Sequence, residues 1–371
     1  MPRTPPSHDG RAGCRIVILT DWLPPEFSAV SQYAIQIARE EAATGAQVVL
    51  VGTRSTASTD VSQVLGGGSL RIIGIRRPPV DRGHWIKRLA WTLTTNILLI
   101  ARAWRDLRSC QLIRFSGSPP FALHVISVAN LFLRKPLLYR ITDFYPECIA
   151  AALTREPFPL KLSRLITYRL RRRVDLFEVI GLDMQERLLR CGVERRRIRL
   201  RRDQSPVVFS GDLRPLPLPE PLKGKKTLLY SGNWGVAHDV DTFVSGYAKH
   251  HREGSGTVNL WLNATGSGAD EVARRLSEAG LPYYRHHLVP LSELAQLLIT
   301  PDAHLITLRP AFVGFVLPSK VYACLGSARP IIYIGPPGSD IHLLCQQDIR
   351  AAYYRADNGD ADAFASYLEL I

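Results

Sequence analysis

The strongest constraint on this chain is a regular alternation of short β-branched runs with helically spaced segments, broken once by proline. Arg15–Thr20 (RIVILT) reads as a buried strand. Val30–Ala43 follows with apolar residues at helical spacing, and Gly45 stops it. Strand-like runs recur at Val48–Val51, Leu70–Ile75, Leu112–Phe115, Leu137–Thr142 and Leu176–Ile180. Helical patterns cover His84–Arg108, Pro120–Leu133, Leu160–Arg172 and Met184–Arg190. The Ser/Thr/Gly stretch after Val51, up to Gly68, is expected to be a loop. Strands alternating with helices predict a doubly wound parallel sheet.

Asp203–Lys226 interrupts this rhythm with Pro206, Pro215, Pro217, Pro219 and Pro221, and reads as a linker. The alternation then restarts at Thr227–Tyr230 and runs through Ile331–Ile334, with strand-like Tyr284–Val289 among its segments. The expected organisation is a disordered leader over 1–13 and a Rossmann-like domain over 14–205. A Pro-rich linker over 206–226 and a second Rossmann-like domain over 227–371 complete it. At about 150 residues per domain, 371 residues suit two domains. The fold class is α/β, with two such domains facing a central cleft and ligands at the C-terminal ends of the strands.

Charge separates the halves. Residues 1–210 hold 33 Lys/Arg against 17 Asp/Glu, and residues 211–371 hold 14 against 16. The surplus is nearly all Arg and suggests an anionic partner for the first half. The six cysteines are scattered without a Cys-x-x-Cys pair, which argues against a zinc site or a disulfide scaffold and fits a reducing cytosol. The first ten residues lack an apolar core, so they are not a signal peptide. Leu89–Ala103 falls short of the ~20 apolar residues that span a bilayer. The expected location is cytoplasmic.

Two segments carry chemistry. In LLYSGNWGVAHD (Leu228–Asp239) a strand enters a turn with Gly232, Asn233 and Gly235, just before a helix; His238 lies at the helix start. Glycines there admit a ligand close to the backbone, and helix N–H groups suit phosphate. An ordinary βα turn has the same ingredients. In Leu305–Asp340 a strand ends at Arg309-Pro310, and a loop with Gly314 leads to Pro318-Ser319 and a helix opened by Lys320. Ser319 suits an N-cap. Arg309 and Lys320 suit a diphosphate, one by forked hydrogen bonds and one as a point charge; alternatively they are solvated surface cations. GPPGSD closes the next strand.

These segments resemble the C-terminal domain of GT-B-fold glycosyltransferases, in particular bacterial family 4 enzymes that build surface polysaccharides. SGNWGVAH, LRPAFVGFVLPSKVY and RPIIYIG are similar to three of that family's strand-end motifs. In the first half, LTDWLPPEFSAVSQYAIQIAREEAATGAQVVLVG resembles its opening strand, loop and helix, and YRITDFYPE its strand-end Asp-x-x-Pro-Glu segment. The resemblance spans most of Arg15–Leu343. It implies a nucleotide-diphosphate sugar donor on the second domain and a glycan or polyprenyl-linked acceptor on the first. No cofactor and no bound metal are implied, and retention of anomeric configuration is. No Asp-x-Asp motif is flanked as a metal site should be.

Carried over residue by residue, the resemblance assigns Gly232, Asn233, His238, Gly314, Ser319 and Tyr322 to donor binding. His238 stands about where many members place a diphosphate-binding Lys. Lys320 and Arg309 would bind or polarise phosphate. Asp143 and Glu147 would orient acceptor hydroxyls or act as base; a helix N-cap and a surface charge are their bland alternatives. Glu26 and Ser28 fall on the N-domain loop. His124 is a weaker candidate than a structural histidine.

The chain departs from the family pattern. Phe315 and Ala323 stand where the family's paired Glu falls, and Ser28-Ala29 replaces a Gly-Gly. The donor domain is expected to lack the final crossover helix. A non-catalytic, nucleotide-binding homologue is therefore the alternative function.

The Arg surplus has three readings. His84–Arg108 carries Trp85, Trp91 and Trp104 amid Lys87, Arg88, Arg102, Arg105 and Arg108, as in helices that lie on anionic membranes; a core helix with a basic rim fits equally. Nucleic-acid binding through Arg171–Arg173 and Arg195–Arg202 lacks any accompanying motif and ranks lower. A high-GC genome explains Arg over Lys but not the asymmetry between halves.

Overall fold

The structure, a computed structural model, describes residues 12–25, 29–78, 85–205 and 207–371. Glu26, Ser28, nearly all of the expected leader and Pro206 lie outside the described residues. The chain divides into two compact units, Met1–Arg202 and Asp203–Ile371.

In the first unit the elements run β1 (Arg15–Trp22), α1 (Ala29–Ala43), β2 (Gln47–Arg54), β3 (Thr59–Leu65), β4 (Gly68–Arg76), α2 (Trp85–Ser109) and β5 (Leu112–Ser116). They continue with α3 (Ala122–Leu133), β6 (Leu137–Ile141), α4 (Glu147–Ala152), α5 (Phe158–Arg171), β7 (Leu176–Val179), α6 (Leu182–Arg190) and β8 (Ile198–Leu200). The sheet order is β3-β4-β2-β1-β5-β6-β7-β8, parallel apart from the β3–β4 hairpin. The strand order reverses between β1 and β5, the switch point of a doubly wound sheet.

The expected loop before Gly68 contains β3. Its side chains stay largely in solvent, with Val61 and Val64 exposed, so the sequence there carries no apolar alternation. Gly66, at φ +57°, turns the chain into β4.

Ile16, Ile18, Leu50 and Leu70 on the strands pack against Ala34, Ile37 and Ala38 of α1. Beside this apolar core lies an ionic one. Arg114 on β5 pairs with Glu178 on β7 at 3.0 Å and with Glu41 of α1 at 3.2 Å, and Arg140 on β6 reaches Glu178 at 3.3 Å; all four are buried. Burial pushes the Glu178 carboxyl up, but Arg114, Arg140 and Arg201 hold it below its ordinary range. Two of the first unit's arginines are thus internal and neutralised by two glutamates, so the net surplus lies elsewhere.

In the second unit β9 (Lys226–Asn233), α7 (Asp241–Arg252), β10 (Val258–Thr265), α8 (Ser267–Glu278) and β11 (Tyr283–Tyr284) lead to α9 (Leu294–Ile299) and β12 (Ala303–Thr307). Then come α10 (Lys320–Gly326), β13 (Ile331–Ile334), α11 (Asp340–Gln347), β14 (Tyr353–Ala356) and α12 (Ala361–Leu368). The all-parallel sheet runs β11-β10-β9-β12-β13-β14 and reverses between β9 and β12.

The expected strand Tyr284–Val289 shrinks to two residues at the sheet edge, because Arg285 turns to Asp270 at 2.7 Å. The Pro-rich segment does not hang free. Leu222 is fully buried with Leu229, Trp261 and Leu297, while Phe209, Leu216 and Leu218 pack around them. The amide of Leu216 also donates to Thr300 at 2.8 Å. Apolar residues placed between the prolines make this segment a flap on the second unit's own core.

Candidate functional site

Both strands at the second unit's switch point end in the segments that the sequence singles out. β9 terminates at Ser231-Gly232-Asn233, and β12 runs into Leu308-Arg309-Pro310. The turn between β9 and α7 is bonded across to β12. The Arg309 amide donates to the Ala237 carbonyl at 2.8 Å, and His238 Nδ1 lies 2.6 Å from the Thr307 carbonyl. Asp239 accepts from the Thr242 amide at 2.8 Å and from Asn358 at 2.7 Å, which ties the start of α7 to the loop after β14.

Lys320 opens α10 beside this turn. Its Nζ lies 3.2 Å from the centroid of the Tyr230 ring and makes no hydrogen bond to the described residues. Trp234 stacks on Tyr230 with centroids 3.8 Å apart. Two groups so close to one ring must take opposite faces, so Tyr230 is held between an indole and an ammonium. Part of the Lys320 side chain reaches solvent, but its nitrogen is covered. Burial lowers its pKa to about 7. Gly232 sits at φ +117°, and a Cβ there would lie 3.8 Å from Lys320 Cε, so the glycine leaves the backbone open beside the lysine.

His238 is not a cation. Burial, then the nearby Lys320, lowers its pKa to about 3. A carbonyl 2.6 Å from Nδ1 can only accept, so the ring is neutral with Nδ1–H donating to Thr307. Nε2 is then an acceptor. His238 therefore does not replace the charge of the Lys that many members place about there; such a ring can offer a lone pair to a hydroxyl.

Arg309 is exposed, donates to the Val236 carbonyl at 3.2 Å and places its guanidinium 5.8 Å from the Phe312 ring. Gly314 takes φ +74° in the loop towards α10. Ser319 occupies the N-cap position of α10 but makes no side-chain cap bond, contrary to expectation. Tyr322 is buried in α10 rather than lining an open loop. Asn233 is exposed and packs against Gly266. At the positions of the family's paired Glu, Ala323 is buried in the Leu222 cluster.

Tyr230 and Trp234 escaped the sequence reading because aromatic residues flanking a strand end look like core. The only available signal was their spacing of four around a Gly-containing turn.

In the first unit, Asp143 follows β6, and burial alone raises its carboxyl to about 6. Glu147 is no surface charge. It is 2% exposed and grips fully buried Arg171 through both oxygens, one contact at 3.0 Å, while Arg171 also donates to the Tyr145 carbonyl at 3.0 Å. In this structure the Glu147 carboxylate is committed to Arg171 as half of a buried ion pair. His124 bonds to Thr167 at 3.1 Å and bridges α3 to α5, as a structural histidine does.

Among the described residues no group of His, Cys, Asp and Glu could hold a metal ion. Asp360 caps α12 by accepting from Ala363, and Asp362 pairs with Lys249. The basic run Arg195–Arg197 is partly structural too: Arg196 pairs with Glu194, and Arg197 donates to the carbonyls of Arg172 and Val174.

No family model matches the sequence, and no curated protein matches it. The fold does have solved relatives. HepE of Anabaena, in complex with UDP and glucose, aligns at a TM-score of 0.63 and 12% identity over 96% of this chain and 89% of that one. Sucrose-phosphate synthase from Thermosynechococcus elongatus gives 0.67 and 14% over the same shares. An α,α-trehalose-phosphate synthase (UDP-forming) from Burkholderia vietnamiensis gives 0.63 and 10% over 96% and 91%. These are glycosyltransferases of GT-B architecture, and the chain has their fold.

Proposed function

We propose that the protein is a glycosyltransferase that moves a sugar from a nucleoside-diphosphate donor to a glycan or lipid-linked acceptor in surface-polysaccharide synthesis. The observation that carries this is the Lys320 ammonium, buried without a hydrogen-bond partner among the described residues beside the open backbone of Gly232. A buried donor group left unsatisfied is costly, and it marks a place where an anion belongs. HepE is described with UDP and with UDP-glucose, which makes UDP the first nucleotide to test.

In this reading the donor's diphosphate sits at the β9–α7 turn. Lys320 meets the phosphate as a point charge and Arg309 as a fork. His238 Nε2 accepts from a donor hydroxyl. The bond from the sugar's anomeric carbon to the β-phosphate oxygen breaks, and a bond to the acceptor oxygen forms. Negative charge gathers on the departing diphosphate, where Lys320 and Arg309 stabilise it without a metal ion. The acceptor's proton goes to Asp143, assigned here to the acceptor, or to the leaving phosphate.

The test is incubation with a panel of UDP- and GDP-sugars, with and without glycan and polyprenyl-linked acceptors. Release of nucleoside diphosphate that depends on Lys320 and on acceptor supports transfer. Nucleotide binding with no turnover across the panel supports the alternative of a non-catalytic homologue, which apolar Phe315 and Ala323 favour.

A further inference from the structure

On α5 the amphipathic pattern is inverted. Thr167 and Arg171 face inward, the first bonded to His124 and the second to Glu147. Phe158, Leu162, Leu165 and Ile166, at helical spacing i, i+4, i+7 and i+8, stand in solvent, with Phe158 at 75% exposure. α3 packs against α5 and repeats the feature: Leu123, Ile126 and Leu133 are buried, while Val128, Leu131 and Phe132 are 60% to 77% exposed. α2 packs against α3 and adds exposed Leu93 and Ile97. Helices lying side by side with outward apolar stripes form one continuous surface, larger than scattered exposed leucines explain.

Along its α3 and α5 part the exposed charge has one sign, while on α2 Arg102 pairs with exposed Asp60 at 3.2 Å. Between Phe121 and Arg173 the exposed ionised side chains are Arg134, Arg155, Lys161, Arg169, Arg172 and Arg173. The acids in that span are withdrawn: Glu147 is buried, Glu156 pairs with Arg164 at 3.0 Å, and Asp143 is half-buried. An apolar face whose exposed charges on α3 and α5 are all cations is complementary to acyl chains beneath anionic headgroups. A second copy of the chain would bring two cationic rims together, which is unfavourable. Among the described residues no helix is long and apolar enough to cross a membrane, so this face would lie on a bilayer rather than pass through it.

We propose that the α2–α3–α5 face docks the first unit on a bilayer of anionic phospholipid. The surface differs from the Trp-bearing stripe of α2 that the sequence suggested, since Trp91 stacks on Trp22 and donates its indole N–H to the Pro78 carbonyl. Docking is independent of the transferase reading, because a chain with no activity would still bind.

The test is vesicle flotation with phosphatidylcholine alone and with phosphatidylcholine plus phosphatidylglycerol, at low and high salt. Wild type is expected to float with the anionic vesicles only, and less at high salt. Lys161→Ala with Arg169→Ala should weaken binding by roughly tenfold or more. Phe132→Ser with Leu162→Ser should abolish it while circular dichroism and UDP binding stay unchanged. Absence of flotation with anionic vesicles, or flotation that both double variants retain, would overturn the proposal. So would a solution dimer of the wild type that Phe132→Ser dissolves, since the face would then belong to a second copy.

Discussion

Lys320 Nζ rests 3.2 Å from the centre of the Tyr230 ring, and among the described residues no oxygen accepts from it. The π face compensates part of the desolvation of an ammonium but offers no hydrogen bond. The first prediction follows from its lowered pKa of about 7. A bound diphosphate favours the ammonium, so above pH 7 each binding event must take up a proton. UDP affinity should fall about tenfold per pH unit there. Calorimetry in buffers of different ionisation enthalpy reads that proton directly. A flat affinity across this range would refute it.

The same shift has a consequence for stability. In the unfolded chain the lysine titrates near ~10.4, in the folded one at about 7, so between these values the unfolded state holds more protons. Stability therefore rises with pH through that window from this group. Lys320→Met should remove the rise and stabilise the protein at pH 7 by on the order of 1–3 kcal/mol. Urea unfolding at several pH values checks both parts.

The two acidic candidates of the first unit should separate cleanly. Asp143→Asn should lower kcat and erase an acid limb of the pH–rate profile near pH 6, since only the carboxylate takes a proton. Glu147→Ala should instead cost about 3–5 kcal/mol in unfolding free energy, because it strands buried Arg171. Glu147→Leu combined with Arg171→Met should recover much of that loss. Normal stability in Glu147→Ala would return Glu147 to the list of catalytic acids.

Gly232→Ala should destabilise by about 1–2 kcal/mol, since φ +117° is strained for any residue with a Cβ. It should also weaken UDP binding more than Gly338→Ala, where a Cβ would meet open space. Equal affinities for the two variants would show that the turn does not approach the ligand.

Much of this was legible in the sequence for a physical reason. Buried parallel strands such as Ile331–Ile334 and Leu137–Ile141 are continuous apolar runs, and helices such as α1 carry their own period. β3 escaped because an exposed edge strand has no core face to encode. The candidate site was legible where backbone chemistry decides: Gly232 and the Pro-Ser-Lys entry to α10 are local features. The state of each side chain was not. Whether Glu147 is a base or half of a buried ion pair depends on Arg171, 24 residues away. Whether His238 is a cation depends on its burial in the folded sheet and on Lys320, which lies far from it in sequence. Only the folded sheet brings those partners together.

Lys320 is proposed as the anion-binding group of a nucleotide site. The most direct measurement is calorimetric titration of UDP into the wild type and into Lys320→Met at about pH 6.5, where the ammonium predominates. Saturable binding to the wild type is expected, with loss of roughly 2 kcal/mol or more, about 30-fold in Kd, in the variant. Equal affinity of the two proteins for UDP, or binding by neither, would contradict it.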